Sequence, residues 1–209
     1  MKTSKITALC LGVFLVGCKM TPELPEYTTT RFNIPIQLSE FNSVAGHYVE
    51  KTAFVTLTTY ANNEYPELLM VEADGYGSSY NQYTGVTKNK VFVRFAKNEA
   101  QVTVDAVNKY LEWQEQAMKA GDMFTKEIAA TAKYDAGYGT ATYNKFKFHS
   151  GNATNHYLVY EFCSSASLVG EQCTEKAALT KENAVKLKDI AERYLQGELK
   201  KEDVAAKYN

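Results

Sequence analysis

The spacing of apolar residues changes abruptly between residues 89 and 118, and this change constrains the fold more than any other feature. Asn89–Ala96 alternates apolar and polar residues, which predicts a β-strand. From Thr103 onward the apolar residues recur every three or four positions, which predicts an amphipathic helix with Thr103 as its N-cap. The helical stripe consists of Val104, Val107, Leu111, Gln114 and Met118, of which only Gln114 is polar. After a break at Gly121, Phe124–Ala132 is expected to continue in a helical conformation.

The same kind of pattern places the other elements. Strands are predicted at Thr52–Tyr60, Glu67–Ala73, Tyr143–His149 and Asn155–Cys163. A helix that Thr180 caps and Gly197 ends closes the chain. The order β-β-β-α-β-β-α predicts an α+β fold, with an antiparallel sheet of about five strands and two main helices packed on one face. Residues 34–209 are expected to form this single domain.

The tripeptide Gly-Tyr-Gly occurs twice, at Gly75–Gly77 and at Gly137–Gly139. Each copy precedes a strand and then a helix, so the chain could contain a faint duplication. Three residues also recur by chance, and the sequence does not decide between the two explanations.

The first eighteen residues have the features of a bacterial export signal. Lys2 and Lys5 precede the uncharged apolar stretch Ile6–Val16, which is shorter than the roughly 20 residues of a membrane-spanning helix. The segment Leu15-Val16-Gly17-Cys18 resembles the lipobox of bacterial lipoproteins. The resemblance implies that residues 1–17 are a signal peptide, and that Cys18 receives a diacylglycerol and becomes the acylated N-terminus. An ordinary signal peptide with a chance cysteine is the alternative.

The resemblance also implies a location in the bacterial cell envelope. The lipid on Cys18 makes a membrane the first partner of the chain, on the side that faces the periplasm. Lys19 stands where lipoproteins retained in the inner membrane of enterobacteria-like organisms carry Asp, so the resemblance implies sorting to the outer membrane. Residues 18–33 contain two prolines and three consecutive threonines, and we expect them to form a flexible tether.

This location gives a role to the remaining cysteines. Cys10 lies in the signal peptide and Cys18 is assigned to the lipid, so Cys163 and Cys173 are left as an even pair. In an oxidising compartment we expect them to form a disulfide that closes residues 164–172. Their spacing is not Cys-x-x-Cys, which favours a structural bridge over a redox site.

No recognisable catalytic motif stands out in the sequence. There is no Gly-x-Ser-x-Gly nucleophile motif. His149 and His156 flank a predicted hairpin loop and could begin a zinc or copper site, but no third ligand is spaced nearby, and a hydrogen-bonded surface pair is the alternative. We therefore expect no metal and no cofactor, and the sequence favours a protein that is not an enzyme. The net charge of −1, without a clustered basic face, argues against a nucleic-acid partner.

Tyrosine is the unusual component of the sequence, with 15 copies. The segment Asp74–Asn89 is longer than a usual hairpin loop and is rich in Tyr, Gly, Ser and Asn, as antibody paratopes are. Segment Tyr134–Tyr143 has a similar composition. The predicted partner-binding residues are Tyr76, Tyr80, Tyr83 and Tyr138. The alternative is that both segments are mobile loops whose tyrosines cover the edge of the sheet.

Together these observations predict a lipoprotein of the periplasmic face that acts as a non-enzymatic binding or structural module. Its partner is expected to be a protein or an envelope polymer. A specific version is an immunity or inhibitor protein that blocks a toxin or lytic enzyme. A hydrolase of cell-wall glycan or peptide, or a carrier of a small ligand, is the alternative.

Overall fold

A computed structural model of the chain describes residues 26–61, 65–81, 85–137, 139–166 and 170–199. These residues form nine β-strands and two α-helices. In chain order the elements are β1 (Tyr27–Asn42), β2 (His47–Tyr60), β3 (Leu68–Asn81), β4 (Gly85–Ala96), α1 (Ala100–Ala120), β5 (Thr125–Ala130), β6 (Tyr134–Gly137), β7 (Thr140–Ser150), β8 (His156–Ala166), β9 (Gly170–Leu179) and α2 (Lys181–Gln196).

All nine strands belong to one antiparallel sheet. Its order is β4-β3-β2-β1-β9-β8-β7-β5, and β6 pairs with β7 as well. The sheet consists of two meanders, β1–β4 and β5–β9, which meet where Ser39 of β1 pairs with Ala178 of β9. Each meander leads into a helix, so the order of strands followed by a helix occurs twice. The two Gly-Tyr-Gly copies do not mark this repeat, because Gly75–Gly77 lies within β3 whereas Gly137 ends β6.

The prediction of about five strands with two helices on one face is therefore wrong. Strands β1, β5, β6 and β9 were missed, and the helices do not form a simple covering layer. Helix α1 contacts β4, β5, β7 and β8, helix α2 contacts β1, β8 and β9, and the helices pack against each other. Each helix thus contacts strands of both meanders, which requires a strongly bent sheet.

Hydrogen bonds between the meanders show how far the sheet bends. The buried Tyr160 hydroxyl on β8 donates to Asn144 Oδ1 on β7 at 2.6 Å. Asn144 Nδ2 in turn donates to the carbonyl oxygen of Arg94 on β4 at 3.1 Å. The Arg94 guanidinium also lies 4.3 Å from the centre of the Phe162 ring. Strand β4, at one end of the strand order, therefore lies against the middle of the other meander.

Strand β1 begins inside the segment that we assigned to the tether, because residues 27–33 form its first half. Thr28–Thr30 suit a strand, since β-branched side chains pack well on a pleated surface. Pro35 lies between Phe32 and Ile36, where the register with β2 shifts. A proline is tolerated at such an irregularity because it has no N–H to donate to the ladder. The proline and the lack of apolar periodicity hid this strand.

The predicted helical continuation over Phe124–Ala132 is also wrong. Gly121 ends α1 with a φ of 72°, a left-handed conformation that glycine adopts without strain, and its N–H donates to the carbonyl of Ala117. The chain then reverses, and Thr125–Ala130 pairs with β7 as strand β5.

The two helices are confirmed, as are Thr180 as the N-cap of α2 and Gly197 as its end, whereas Thr103 does not cap α1. Helix α1 begins at Ala100, so Thr103 lies inside the first turn, and its hydroxyl donates to the carbonyl of Glu99 at 3.3 Å. The Thr180 hydroxyl accepts from the side-chain amide of Asn183 in the first turn of α2 at 3.0 Å and donates to Glu50 of β2 at 3.1 Å. The Thr180 hydroxyl therefore joins α2 to β2, whereas the Thr103 hydroxyl bonds to the backbone one turn earlier.

The core lies between the helices and the sheet. Its largest fully buried side chains include Tyr110 of α1, Leu187 and Ile190 of α2, and Phe95, Phe146, Phe148 and Tyr160 of the strands. The Tyr110 ring lies 5.9 Å from Phe148, and its hydroxyl donates to the carbonyl of His156 at 2.8 Å. Burying such rings contributes most of the favourable free energy of folding.

Candidate functional site

The predicted tyrosine loop is not a loop. Strand β3 continues to Asn81 and β4 starts at Gly85, so most of Asp74–Asn89 is paired β-structure. The register shifts once, between Asp74 and Ser78. We call the projecting part of this hairpin, residues 74–81 and 85–90, the β3–β4 arm. Its residues are largely exposed, unlike those of the strands that continue from it into the core.

Tyr76 lies at the base of the arm and is held from three sides. Its backbone N–H donates to Glu40 of β1 at 2.7 Å, and its carbonyl accepts from Asn89 Nδ2 at 2.9 Å. The Lys51 ammonium lies 3.4 Å from the centre of the Tyr76 ring and pairs with Glu40 at 2.9 Å. These contacts include a cation–π interaction and an ion pair that are partly shielded from water. Tyr76 therefore braces the arm against β1 and β2.

Gly75 allows the two strands of the arm to approach closely at this base. A Cβ atom on Gly75 would lie 2.9 Å from the carbonyl oxygen of Asn89, closer than real Cβ contacts come. Beside it, Asp74 pairs with Lys90 at 2.9 Å and with Lys88 at 3.4 Å. The hydrogen bond from Lys90 is the main reason that the pKa of Asp74 lies below its usual range. Because this cluster is exposed, we expect it to contribute little to stability.

The outer part of the arm presents apolar surface to solvent. Tyr80 of β3 and Val86 of β4 are Cα partners, and 77% and 72% of their surfaces are exposed. An exposed apolar pair of this kind contributes to binding when a partner covers it and removes it from water. Val86 was missed from sequence, although its position directly opposite Tyr80 follows once the hairpin register is known.

Of the four predicted binding tyrosines, the structure describes two. Tyr76 and Tyr80 belong to the arm, whereas Tyr83 and Tyr138 lie outside the described residues. The second tyrosine-rich segment belongs to the other meander, where exposed Tyr134 of β6 pairs with Thr142 of β7. The arm is thus the part of the predicted surface that the structure describes.

The two histidines do not face each other. In the β7–β8 register His149 pairs with Tyr157 and His156 with Ser150, so the imidazoles point to opposite faces of the sheet. His156 is buried, stacks on Phe148 at 5.2 Å, and has Nδ1 2.9 Å from the Ser150 hydroxyl. Burial lowers the pKa of both imidazoles. The geometry therefore offers no shared metal site for this pair.

The predicted disulfide is confirmed. Cys163 and Cys173 are Cα partners on β8 and β9, and their sulfurs are bonded at 2.05 Å. A carboxylate oxygen of Glu161 lies within 4.8 Å of both sulfurs. Sulfurs joined in a disulfide are not thiolate ligands, so this group is not a metal site in the oxidised protein.

A polar cluster at the junction of the two meanders was not expected from sequence. Glu161 and Glu175 are Cα partners on β8 and β9. Glu161 accepts from Lys147 at 2.7 Å, while among the described residues nothing hydrogen-bonds to its buried second oxygen. Partial burial raises the pKa of Glu175, which lies near the side chain of Tyr48. The sequence could have predicted that these two acids lie side by side only if β9 had been recognised as the strand next to β8.

Comparison of the chain with protein-family models, with curated proteins and with solved structures found no match. Of the helices in the described ranges, neither α1 nor α2 has the length and hydropathy required to cross a bilayer. The segment Leu15–Cys18, on which the lipoprotein prediction rests, lies outside those ranges.

Proposed function

We propose that this chain is a bacterial lipoprotein that acts as a binding module of the cell envelope. Its lipid is attached to Cys18 and anchors it at the periplasmic face of the outer membrane. The support for this location is the resemblance of Leu15–Cys18 to a lipobox, with the basic and apolar residues that precede it. The Cys163–Cys173 bridge is compatible with it, because disulfides persist in oxidising compartments such as the periplasm.

The observation that carries the binding role is the exposed Tyr80–Val86 pair on a braced arm. Two apolar side chains lie opposite each other on a paired hairpin instead of in the core. The contacts of Tyr76 with Glu40 and Lys51 hold the arm in place, so a partner meets a surface that is already ordered. A preorganised surface loses less conformational entropy on binding than a mobile loop does. The partner is a protein or an envelope polymer, and an immunity or inhibitor role is one specific form of this proposal.

The test uses the mature chain as bait in extracts of the envelope. Tyr80→Ser combined with Val86→Ser removes the apolar pair, and Tyr134→Ser is the matched control, because Tyr134 is an exposed tyrosine of β6 outside the arm. A photocrosslinking residue at position 80, compared with one at position 134, identifies what touches the arm. We expect the partner to be captured by the unaltered chain and by Tyr134→Ser, and lost with the double variant. Equal capture by all three proteins would remove the arm from the proposal.

The junction cluster favours a second candidate, a hydrolase of cell-wall glycan. Glycosidases use two carboxyl groups on either side of the scissile bond, one of them with a raised pKa. Glu161 and Glu175 are adjacent on neighbouring strands, and Glu175 has the raised pKa. Release of soluble fragments from purified cell walls, abolished by Glu175→Gln, would support this candidate over a binding module. The same release by the Glu175→Gln variant, or no release at all, would reject it.

A further inference from the structure

Three tyrosines cluster where β1 begins and β2 ends. Tyr27 and Tyr60 are Cα partners with ring centres 6.2 Å apart, and Tyr65 lies 5.2 Å from Tyr60. Tyr27 and Tyr65 are exposed, and Tyr60 is half-buried between them. We call Tyr27, Tyr60 and Tyr65 the tyrosine cluster. It is a second exposed aromatic surface, separate from the arm.

The antiparallel topology puts the tyrosine cluster and the arm at opposite ends of the first meander. Leu68, the first residue of β3, pairs with Thr58 near the end of β2 and with Ala96 at the end of β4. The start of β3 is therefore at the cluster end, and Tyr80 is twelve residues further along the same strand. The facing strand β4 covers the same distance in ten residue steps, from Ala96 to Val86, so at about 3.3 Å per residue the arm pair lies roughly 33 Å from the cluster end.

The length of chain that precedes β1 decides which end lies near the anchor. Tyr27 follows Cys18 by nine residues, which span at most about 30 Å even when fully extended. The cluster end is the part of the meander to which this segment connects. The arm pair lies about 33 Å further away.

The chemistry of the cluster fits a membrane surface. A tyrosine ring has an apolar body and a polar hydroxyl, and tyrosines are enriched at the level of the lipid headgroups. The cluster end carries the acidic residues Glu26 and Glu67 beside the single lysine Lys97 that follows β4, which is not a basic patch, so attraction to anionic lipid is not the source of the contact. The matching surface is a zwitterionic bilayer met by the rings.

We propose that the tyrosine cluster rests on the bilayer that holds the lipid of Cys18, and that the arm points away from it into the periplasm. This inference rests on the proposed lipid anchor. It gives the protein an orientation, with Tyr80 and Val86 held clear of the membrane where a large partner can reach them.

The experiment uses mature, acylated protein in phosphatidylcholine vesicles whose lipids carry bromine near the headgroup, which quenches tryptophan fluorescence at short range. Trp113 is the single tryptophan and is replaced by Phe. Tyr60→Trp then reports on the cluster and Tyr80→Trp on the arm, with Tyr65→Trp as a second cluster reporter if the first does not fold. We expect quenching of the cluster reporters to be several-fold stronger than that of Tyr80→Trp.

The outcomes separate this inference from the lipid anchor. Protein that floats with the vesicles while the cluster and arm reporters are quenched equally, or while only the arm reporter is quenched, would overturn the orientation and leave the anchor standing. Protein that carries no diacylglycerol by mass and does not float would overturn the anchor and this inference with it.

Discussion

Opening the Cys163–Cys173 bridge should destabilise the protein by a predictable amount. The two cysteines are separated by 10 residues and are Cα partners on adjacent strands. The chain-entropy relation for a loop of this size predicts a contribution of about 2.7 kcal/mol at 25 °C. In a domain of this length each kcal/mol shifts the melting temperature by roughly 2–4 °C, so reduction should lower it by roughly 5–11 °C.

Two perturbations distinguish the contribution of the crosslink to stability from the contribution of the packing of its sulfur atoms. Cys163 is fully buried, so Cys163→Ala combined with Cys173→Ala removes the bridge and also leaves a small cavity. Reduction with a phosphine leaves both sulfurs in place and removes only the crosslink. We therefore expect the alanine variant to melt below the reduced protein, by an amount that corresponds to about 1 kcal/mol.

Thermal unfolding followed by circular dichroism, with and without the phosphine, measures both effects. Alkylation followed by mass spectrometry confirms that the reduced sample carries two free thiols. The alanine variant is the control, because its melting temperature should not respond to the reductant. An unchanged melting temperature in a sample with two alkylated cysteines would show that the bridge adds no constraint, and the entropic reasoning would be wrong.

Three further predictions concern the core, the pH response and the arm. Asn183→Ala should lower the free energy of unfolding by about 2–4 kcal/mol, because the buried amide hydrogen-bonds to the backbone of β1 and to a carboxylate on β2. The control Asn108→Ala, on the exposed side of α1, should change it by less than about 0.5 kcal/mol. Urea titrations measure both values. Burial lowers the pKa of His156 and of His149, so the unfolded chain binds more protons than the folded one below about pH 6.5. Stability should therefore be complete above that pH and fall as the pH drops toward 5, and His156→Gln should reduce the slope; an unchanged slope would show that this residue is not responsible. Gly75→Ala should destabilise the protein by about 1–3 kcal/mol and weaken partner capture, because its Cβ would collide with the backbone of the facing strand, and wild-type capture would refute the bracing argument.

The elements that could be predicted are those whose pattern is set by local burial. Strand β4 and helix α2 each bury one regular face, and both are present where the apolar spacing places them. Strand β1 escaped because polar threonines and Pro35 interrupt its pattern. Strand β9 was not predicted because its first half is exposed and carries mostly polar residues, and buried apolar residues occur only at Ala177–Leu179.

The candidate site was predictable only in part, for a related reason. The composition of residues 74–89 indicated that Tyr76 and Tyr80 are exposed, but it did not show that the segment is paired. The contacts of Tyr76 with Glu40 and Lys51 could therefore not be predicted. Which residues on β1 and β2 meet an arm between β3 and β4 depends on register across three strands. No local pattern encodes that register.

The sequence by itself determined which residues were available for the bridge, where the strongest helices and strands form, and which segments are rich in tyrosine. These properties belong to single segments and follow from side-chain chemistry and period. Only the tertiary structure decided that nine strands form one bent sheet, that His149 and His156 point to opposite faces, and that the arm and the tyrosine cluster lie at opposite ends. Those outcomes depend on the pairing of residues far apart in the chain, where a shift of one residue turns every side chain of a strand to the other face.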